Sequence, residues 1–497
     1  MMKALTMKKE TLSALLCLAA VLTASACGET SETVGETVTQ AVNTEAVTEA
    51  VTEVVDTRVP LDLPDADFGG YKLRILEYDP EVNNFVQYSD FNWTKENAGE
   101  LINDAVSVRN MMIEDRYNCE IEVTYANDTV PKAKSSITAG SDDYDFAELY
   151  INDIMKMASQ GMFYNFYDIP HLALDQDWWD SAIQRDAALF GKIHAMTGDI
   201  SMQDEELNYC IYFNKSVAQE NDIGDLYDVV RNNKWTLETF HELGKQVSRD
   251  FNGDGVRDEN DTYGVLTDGG MLWLFYFTCG GTYAELDKDG NPFFTVGNER
   301  NLQVADALAE FFRDTDTVMW ASKCSNAWTT LDKILMEDRA LFRPGSIYDI
   351  TVYRSMNNDF GILPYPKFDE AQAEYYHPIA SHVCPALCIP VTNPDIDRTG
   401  FLLEALAYES RPTVTKAYYD VNLYSKLTRD NDSGDMLDII FASKRYDICK
   451  VFDWGAVDAM FGTLANSKSG LGTLWAKKES AAVKAMEKTL AVFSEED

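Results

Sequence analysis

The run DFNGDGVRDEND at residues 250–261 sets oxygen-bearing side chains at alternate positions of a short, glycine-punctuated turn. Asp250, Asn252 and Asp254 take positions 1, 3 and 5 of an EF-hand-like loop. Gly255 stands at position 6, where the chain must turn sharply. Val256 offers its carbonyl at position 7, Asp258 follows at position 9 and Asp261 at position 12. A hard dication takes six to eight oxygens, and alternate residues of a tight loop point inward to supply them, so the spacing predicts a Ca2+ site. Asp261 stands where Glu is usual, which leaves open whether Asp261 or Glu259 supplies the last oxygens. No second helix follows, because Thr262-Tyr263-Gly264-Val265 turns into a strand. The expectation is therefore one structural calcium ion and not a sensor pair. The similar run Asp287–Asn291 lacks the later acids and reads as a hairpin turn.

The elements that hold this loop are legible around it. Trp235-Thr236 opens a helix with Thr236 as N-cap, and Leu237, Phe240, Leu243 and Val247 form its buried face. Alternation predicts strands at Tyr71–Leu76, Cys119–Thr124, Tyr144–Tyr150, Lys192–Asp199 and Cys210–Lys215. Helices are expected near residues 98–116 and 133–139. Strands alternating with helices predict a largely parallel α/β sheet. Ligands bind at the carboxyl ends of such strands, which puts Asn152 and Asp153, just after Tyr150, at a cleft edge.

The amino terminus carries a different chemistry. Lys3, Lys8 and Lys9 precede an apolar stretch from Leu12 to Ala24, then the small residues Ala24-Ser25-Ala26, then Cys27. A charged start, a short apolar segment and a small-residue cleavage site read as a secretory signal over residues 1–26. The Cys after small residues resembles a bacterial lipobox, which implies lipidation of Cys27 and a mature protein held at the outer face of a membrane. Residues 27–57 then form a tether of Thr, Glu, Val, Ala and Ser that cannot bury enough apolar surface to fold.

From Arg58 the chain reads as globular, and about 440 residues suggest two lobes. The 82 acidic residues against 42 Lys and Arg give a net charge of −40. That excludes nucleic acid as a partner, since phosphate binding needs a basic face. Seven cysteines remain after Cys27, an odd number at irregular spacing, and they read as buried thiols. No HExxH, GxSxG, P-loop or dinucleotide fingerprint is present.

YFNK (Tyr212–Lys215), KWTLETF (Lys234–Phe240), the NGDG loop, CGGTY (Cys279–Tyr283), FGILPYPK (Phe360–Lys367) and RDNDSGDMLDII (Arg429–Ile440) follow one another in an informative order. That order and spacing resemble the family 1 extracellular solute-binding proteins of ABC transporters, the sugar-binding type related to maltose-binding protein. The resemblance implies a two-lobed, type II periplasmic-binding-protein-like α/β fold with a ligand cleft and a hinge. By carry-over the first lobe is 58–205 plus 340–387, and the second is 206–339 plus 388–497. It also implies a monomer that hands a mono- or oligosaccharide to permease subunits, with no catalysis. Asn152 and Asp153 fall on the family's polar cleft loop, and Trp273 and Tyr283 where aromatic rings stack on sugar. Trp179, within the DQDWWD stretch that also holds Trp178, and Arg343 near a crossing segment complete the implied ligand set. Asp199 is a further candidate near the first crossing. Two other readings stay open: a surface glycan-binding lipoprotein uncoupled from transport, and a carboxylate-dependent glycosidase.

Overall fold

The computed structural model describes residues 58–419 and 430–494. The expected signal at 1–26, the tether at 27–57 and the anchor Cys27 lie outside the described residues. From Pro60 onward the chain clusters as one unit built around two mixed sheets.

The first sheet grows from two strand–helix–strand units. Strand β1 (Tyr71–Tyr78), helix α1 (Leu101–Tyr117), strand β2 (Cys119–Ala126), helix α2 (Thr129–Ala139) and strand β3 (Phe146–Tyr150) follow in order. β1 pairs in parallel with β2 on one side and β3 on the other. Helix α3 (Ile151–Ala158) starts directly after β3.

The second sheet uses β4 (Tyr209–Asn214), β5 (Tyr263–Thr267), β8 (Val318–Trp320), β9 (Ala340–Ser346) and β10 (Phe360–Leu363), in the order β10-β4-β9-β5-β8. The hairpin β6 (Ala284–Leu286) and β7 (Pro292–Phe294) brackets the predicted turn at 287–291. Alternation along β4 sorts side chains to two cores. Ile211 and Phe213 join the larger core, which also holds Phe240 and Phe342. Cys210 and Tyr212 join a smaller one with Leu266, Ile334 and Ile362. Strand β12 (Pro385–Cys388) returns to the first sheet antiparallel to β3, and the short β11 (His377–Pro378) pairs with β13 (Lys444–Arg445).

Three expectations are corrected here. The segment 340–387 divides between sheets: β9 and β10 hydrogen-bond to β4, so only β12 belongs with the first sheet. Conversely the helix Ile396–Ser410, expected in the second lobe, packs on the first. Phe401 meets Phe68 and Tyr117 edge-on, with ring centroids 5.3 and 5.0 Å apart. Residues 192–199 form isolated bridges in place of a strand, with Met196 meeting Leu387 on β12. Gly198, which offers no side chain to pack, sits within that run. The helix at Leu237–Val247 forms as expected, and the Thr236 hydroxyl accepts from the Thr239 N–H. Six of the seven described cysteines are buried, and Cys324 is partly so.

Candidate functional site

Elements following both sheets meet at a polar pocket of about 250 Å³. Its walls include Asn152, Asp153 and Lys156 from α3, Tyr283 from the loop after the helix Leu272–Thr278, His382 ahead of β12, and Lys450, Asp453 and Asp458 from the C-terminal helices. Helix α3 starts where β3 ends, so the residues after that strand face the pocket as the strand-end rule requires.

The pocket is wired from Asp458. Its Oδ1 accepts from the Tyr283 hydroxyl at 2.6 Å, and its Oδ2 accepts from Lys450 Nζ at 2.6 Å. The same ammonium stands 3.7 Å from the centroid of the Trp273 ring, a close cation–π contact. Asn152 Nδ2 donates to the Lys450 carbonyl at 3.1 Å, while Asn152 Oδ1 is buried and has no donor. Lys156 and Asp453 pair at 3.0 Å on the rim. Burial raises the Asp153 carboxyl above its ordinary range. Burial also lowers His382 to about 4, so the ring is neutral near pH 7. The pocket thus offers an unpaired acceptor, an ammonium, carboxylates and a neutral imidazole, a set suited to hydroxyl groups.

The CGGTY loop separates this pocket from a larger cavity of about 410 Å³. Gly280 takes φ +80°, a left-handed conformation, and a Cβ on Gly281 would stand 2.6 Å from the Tyr276 ring. The two glycines therefore let the loop turn tightly over Tyr276. Gly280, Gly281 and Thr282 face the larger cavity, together with Arg185, Phe277, Glu285, Tyr376 and Arg445. Arg445 lies over the half-buried Tyr376 ring and pairs with Glu374, and Arg185 pairs with Asp186.

The expected site residues divide. Asn152, Asp153 and Tyr283 line the smaller pocket, and Trp273 touches it through Lys450. Trp273 and Tyr283 are nearly fully buried, Tyr283 between Tyr276, Phe277 and Phe461, so neither presents an open stacking face here. Trp179 lies elsewhere. It lines a crevice of about 190 Å³ with Asp180, Asp199, Asp204, Glu205 and Lys444. Glu404 ties it down together with Trp178, accepting from their indole N–H groups at 2.8 and 3.1 Å. Arg343 is also removed from the pocket. It is buried in β9, paired with Asp332 at 3.0 Å and lying over Trp328. Sequence reading missed Lys450, Asp458, His382 and the lining of the larger cavity. Tyr376 and the lysines carry no local signature.

In the 250–261 loop, Asp250 accepts from the N–H groups of Gly253 and Gly255 at 2.7 and 2.9 Å. Asp254 accepts from Val256 N–H at 2.8 Å, and Asn252 Oδ1 from Asp254 N–H at 3.0 Å. Gly253 and Gly255 supply the left-handed turns at φ +75° and +77°. Asp261 is fully buried and accepts from Phe251 and Asp258 N–H, which staples the ends of the loop together. Glu259 is engaged outside the loop, by the N–H and hydroxyl of Ser325.

No protein-family model and no curated protein sequence matches the chain. Solved structures do. An ABC substrate-binding protein from Listeria monocytogenes, solved with cycloalternan, is 12% identical and matches 86% of this chain and 100% of its own, with a TM-score of 0.53. A cyclo/maltodextrin-binding protein solved with maltotetraose is 12% identical over 85% of this chain and 98% of its own, at a TM-score of 0.55. UgpB from Mycobacterium tuberculosis, solved with glycerophosphocholine, is 13% identical over 85% and 100%, at 0.56. Identities this low carry the fold and no more. The chain has the two-lobed α/β fold of ABC-transporter substrate-binding proteins.

Proposed function

We propose that this protein is a solute-binding protein that captures a mono- or oligosaccharide and passes it to the permease of an ABC transporter, without catalysis. The observation that carries this reading is the pocket at Asn152, Tyr283, Lys450 and Asp458, where elements following both sheets converge on one polar cavity. Its volume of about 250 Å³ lies below the roughly 300–1,000 Å³ of drug-sized sites, which suits one sugar ring, and the larger cavity lies across the CGGTY loop from it. The half-buried Tyr376 offers a ring face there. Cycloalternan and maltotetraose in two similar structures support a carbohydrate; glycerophosphocholine in a third supports a small phosphodiester. The arginines Arg185 and Arg445 keep that second ligand class in play, but both already face carboxylates. A thermal-shift screen over mono- and oligosaccharides, with glycerophosphodiesters as a second arm, tests the reading. A saccharide should raise the melting temperature by mass action, and a rise with phosphodiesters alone would replace it.

Two further parts belong to this proposal. Lipidation at Cys27 places the protein on the outer face of the membrane, where the acidic tether gives it reach. If Cys27→Ser left the protein equally membrane-bound, the anchor would be wrong. The second part is a structural Ca2+ on the loop, held by Asp250, Asn252, Asp254, the Val256 carbonyl and Asp258. The intraloop hydrogen bonds already fold these donors into the turn. Glu259, held by Ser325, is not among the ligands, and Asp261 acts as the staple. Chelation should lower the melting temperature of the wild type by more than it lowers that of D250A/D254A.

A further inference from the structure

Beneath the strand ends of the first sheet lie three acids that the solute site does not use. β1 and β3 run parallel with Ile75 opposite Phe146 and Leu76 opposite Ala147. The next step of that register sets Glu77 beside Glu148, both pointing to one face of the sheet. Asp90, from the loop after β1, closes the group. One oxygen from each of the three lies within 4.8 Å of the other two. All three residues are at most 1% exposed.

Hydrogen-bond accounting separates them. Glu77 accepts from the Ser89 hydroxyl at 2.5 Å and from Asp90 N–H at 2.7 Å. Asp90 accepts from the Ser201 hydroxyl at 2.7 Å and the Gln203 amide at 3.2 Å. Neither oxygen of Glu148 has a donor, and Gln203 Oε1, on the side chain that touches Asp90, has none either. Arg109 is buried nearby but spends its N–H groups elsewhere. They go to Asn110 Oδ1, the Ser410 hydroxyl and the carbonyls of Ile200 and Asp90, and to none of the three carboxylates. Three carboxylates against one guanidinium leave two negative charges in the buried interior, which is costly unless something neutralises them.

We propose that Glu77, Asp90 and Glu148 bind a hard divalent cation such as Ca2+, Mg2+ or Mn2+ within the first lobe. The geometry suits it. A cation that holds each oxygen at about 2.0–2.6 Å sits between ligands up to roughly 5 Å apart. Its two charges match the residual charge of the group, and it gives Glu148 the partner it lacks. Hard carboxylate oxygens favour these ions over zinc or copper. The ion would tie β1 to β3 and to the loop carrying Asp90, and so stiffen the floor on which α3 presents Asn152 and Asp153.

The rival neutraliser is the proton. Without a cation, burial pushes Glu77 up to about 8 and Glu148 well above the carboxylate range. Metal content decides between them. Full-length D250A/D254A protein, in which the exposed loop is disabled, is stripped with EDTA, incubated separately with CaCl2, MgCl2 and MnCl2, desalted and analysed by inductively coupled plasma mass spectrometry. The expected result is one dication per chain, a melting temperature raised by that ion, and loss of both on adding the isosteric E148Q substitution. E148Q should remain folded without metal, since it removes an unpartnered buried charge. If it does not fold, the metal content of D250A/D254A still decides. No dication retained by D250A/D254A, with a melting temperature unmoved by all three salts, overturns the proposal in favour of protonated acids. A dication retained equally by the E148Q protein overturns the assignment to this trio.

Discussion

Lys444 and Lys450 lie close together in sequence and are held in different ways. Lys444 Nζ sits among three carboxylates, 2.6 Å from Asp204, 3.0 Å from Glu205 and 3.3 Å from Asp180. Lys450 meets one carboxylate, Asp458, and otherwise lies on the Trp273 ring. Both ammonium groups are largely buried, so burial does not distinguish them. What differs is the chemistry left over. Around Lys444, Asp180 is occupied by the lysine, by the Thr197 and Tyr446 hydroxyls and by the Ala182 N–H, Asp204 and one oxygen of Glu205 take the lysine, and the other Glu205 oxygen is buried without a donor. Around Lys450, Asn152 Oδ1 waits for a donor, and Asp458 stays 34% exposed, within reach of a solute. A lysine gripped by three acids holds the fold together. A lysine held by one accessible carboxylate, beside an unpaired acceptor, can bind.

The comparison breaks most readily through Lys444→Met. Removing the one cation among three buried acids should cost about 3–5 kcal/mol in urea unfolding. Affinity of the folded fraction for its solute should stay unchanged. Loss of binding without loss of stability would merge the two crevices into one site.

A pH profile sharpens the same contrast. Asp199, beside Lys444 in the closed crevice, is raised by burial to about 6 although Arg411 pulls it back. Between its unfolded value near 4 and this folded value, the native state binds the extra proton. Its stability contribution is therefore full below about pH 4 and lost as pH rises through about 6, a change of up to roughly 3 kcal/mol. Asp199→Asn should flatten that limb, measured as urea midpoint against pH. An unchanged profile would show that Asp199 titrates normally.

In the open pocket, Lys450→Met should weaken solute binding at least tenfold, or about 1.4 kcal/mol. It should cost less stability than Lys444→Met, because Asp458 can return to water. Calorimetric titration reads the first effect and urea the second. Tyr283→Phe removes one hydroxyl donor from Asp458 and should cost about 1 kcal/mol. Trp179→Phe removes one donor from Glu404 and should cost a similar amount in stability alone. A drop in affinity with Trp179→Phe would restore that residue to the ligand site.

What the sequence could reveal followed the range of the forces involved. Strand alternation in β1, β2 and β4, the Thr236 cap and the glycine turns of the 250–261 loop are set by near neighbours, and each was legible. Asn152 and Asp153 were legible because strand ends face clefts. Trp179 and Arg343 have the right chemistry for a ligand, but distant Glu404 and nearby Asp332 had claimed them, and no local pattern announces that. Lys450 reaches Asn152 across 298 residues of chain, and Glu77 reaches Glu148 only through sheet register. The run at 192–199 alternates like a strand, yet it forms bridges alone, with Gly198 in the middle of them.

The most direct test is calorimetric titration of the full chain with saccharides that shift its melting temperature, in the wild type and in Asn152→Ala. The account predicts saturable, one-to-one carbohydrate binding that the substitution weakens at least tenfold while the melting temperature of the free protein stays close to wild type. Carbohydrate binding untouched by Asn152→Ala would contradict the assigned pocket, and heat with no saccharide but with another solute class would contradict the proposed function.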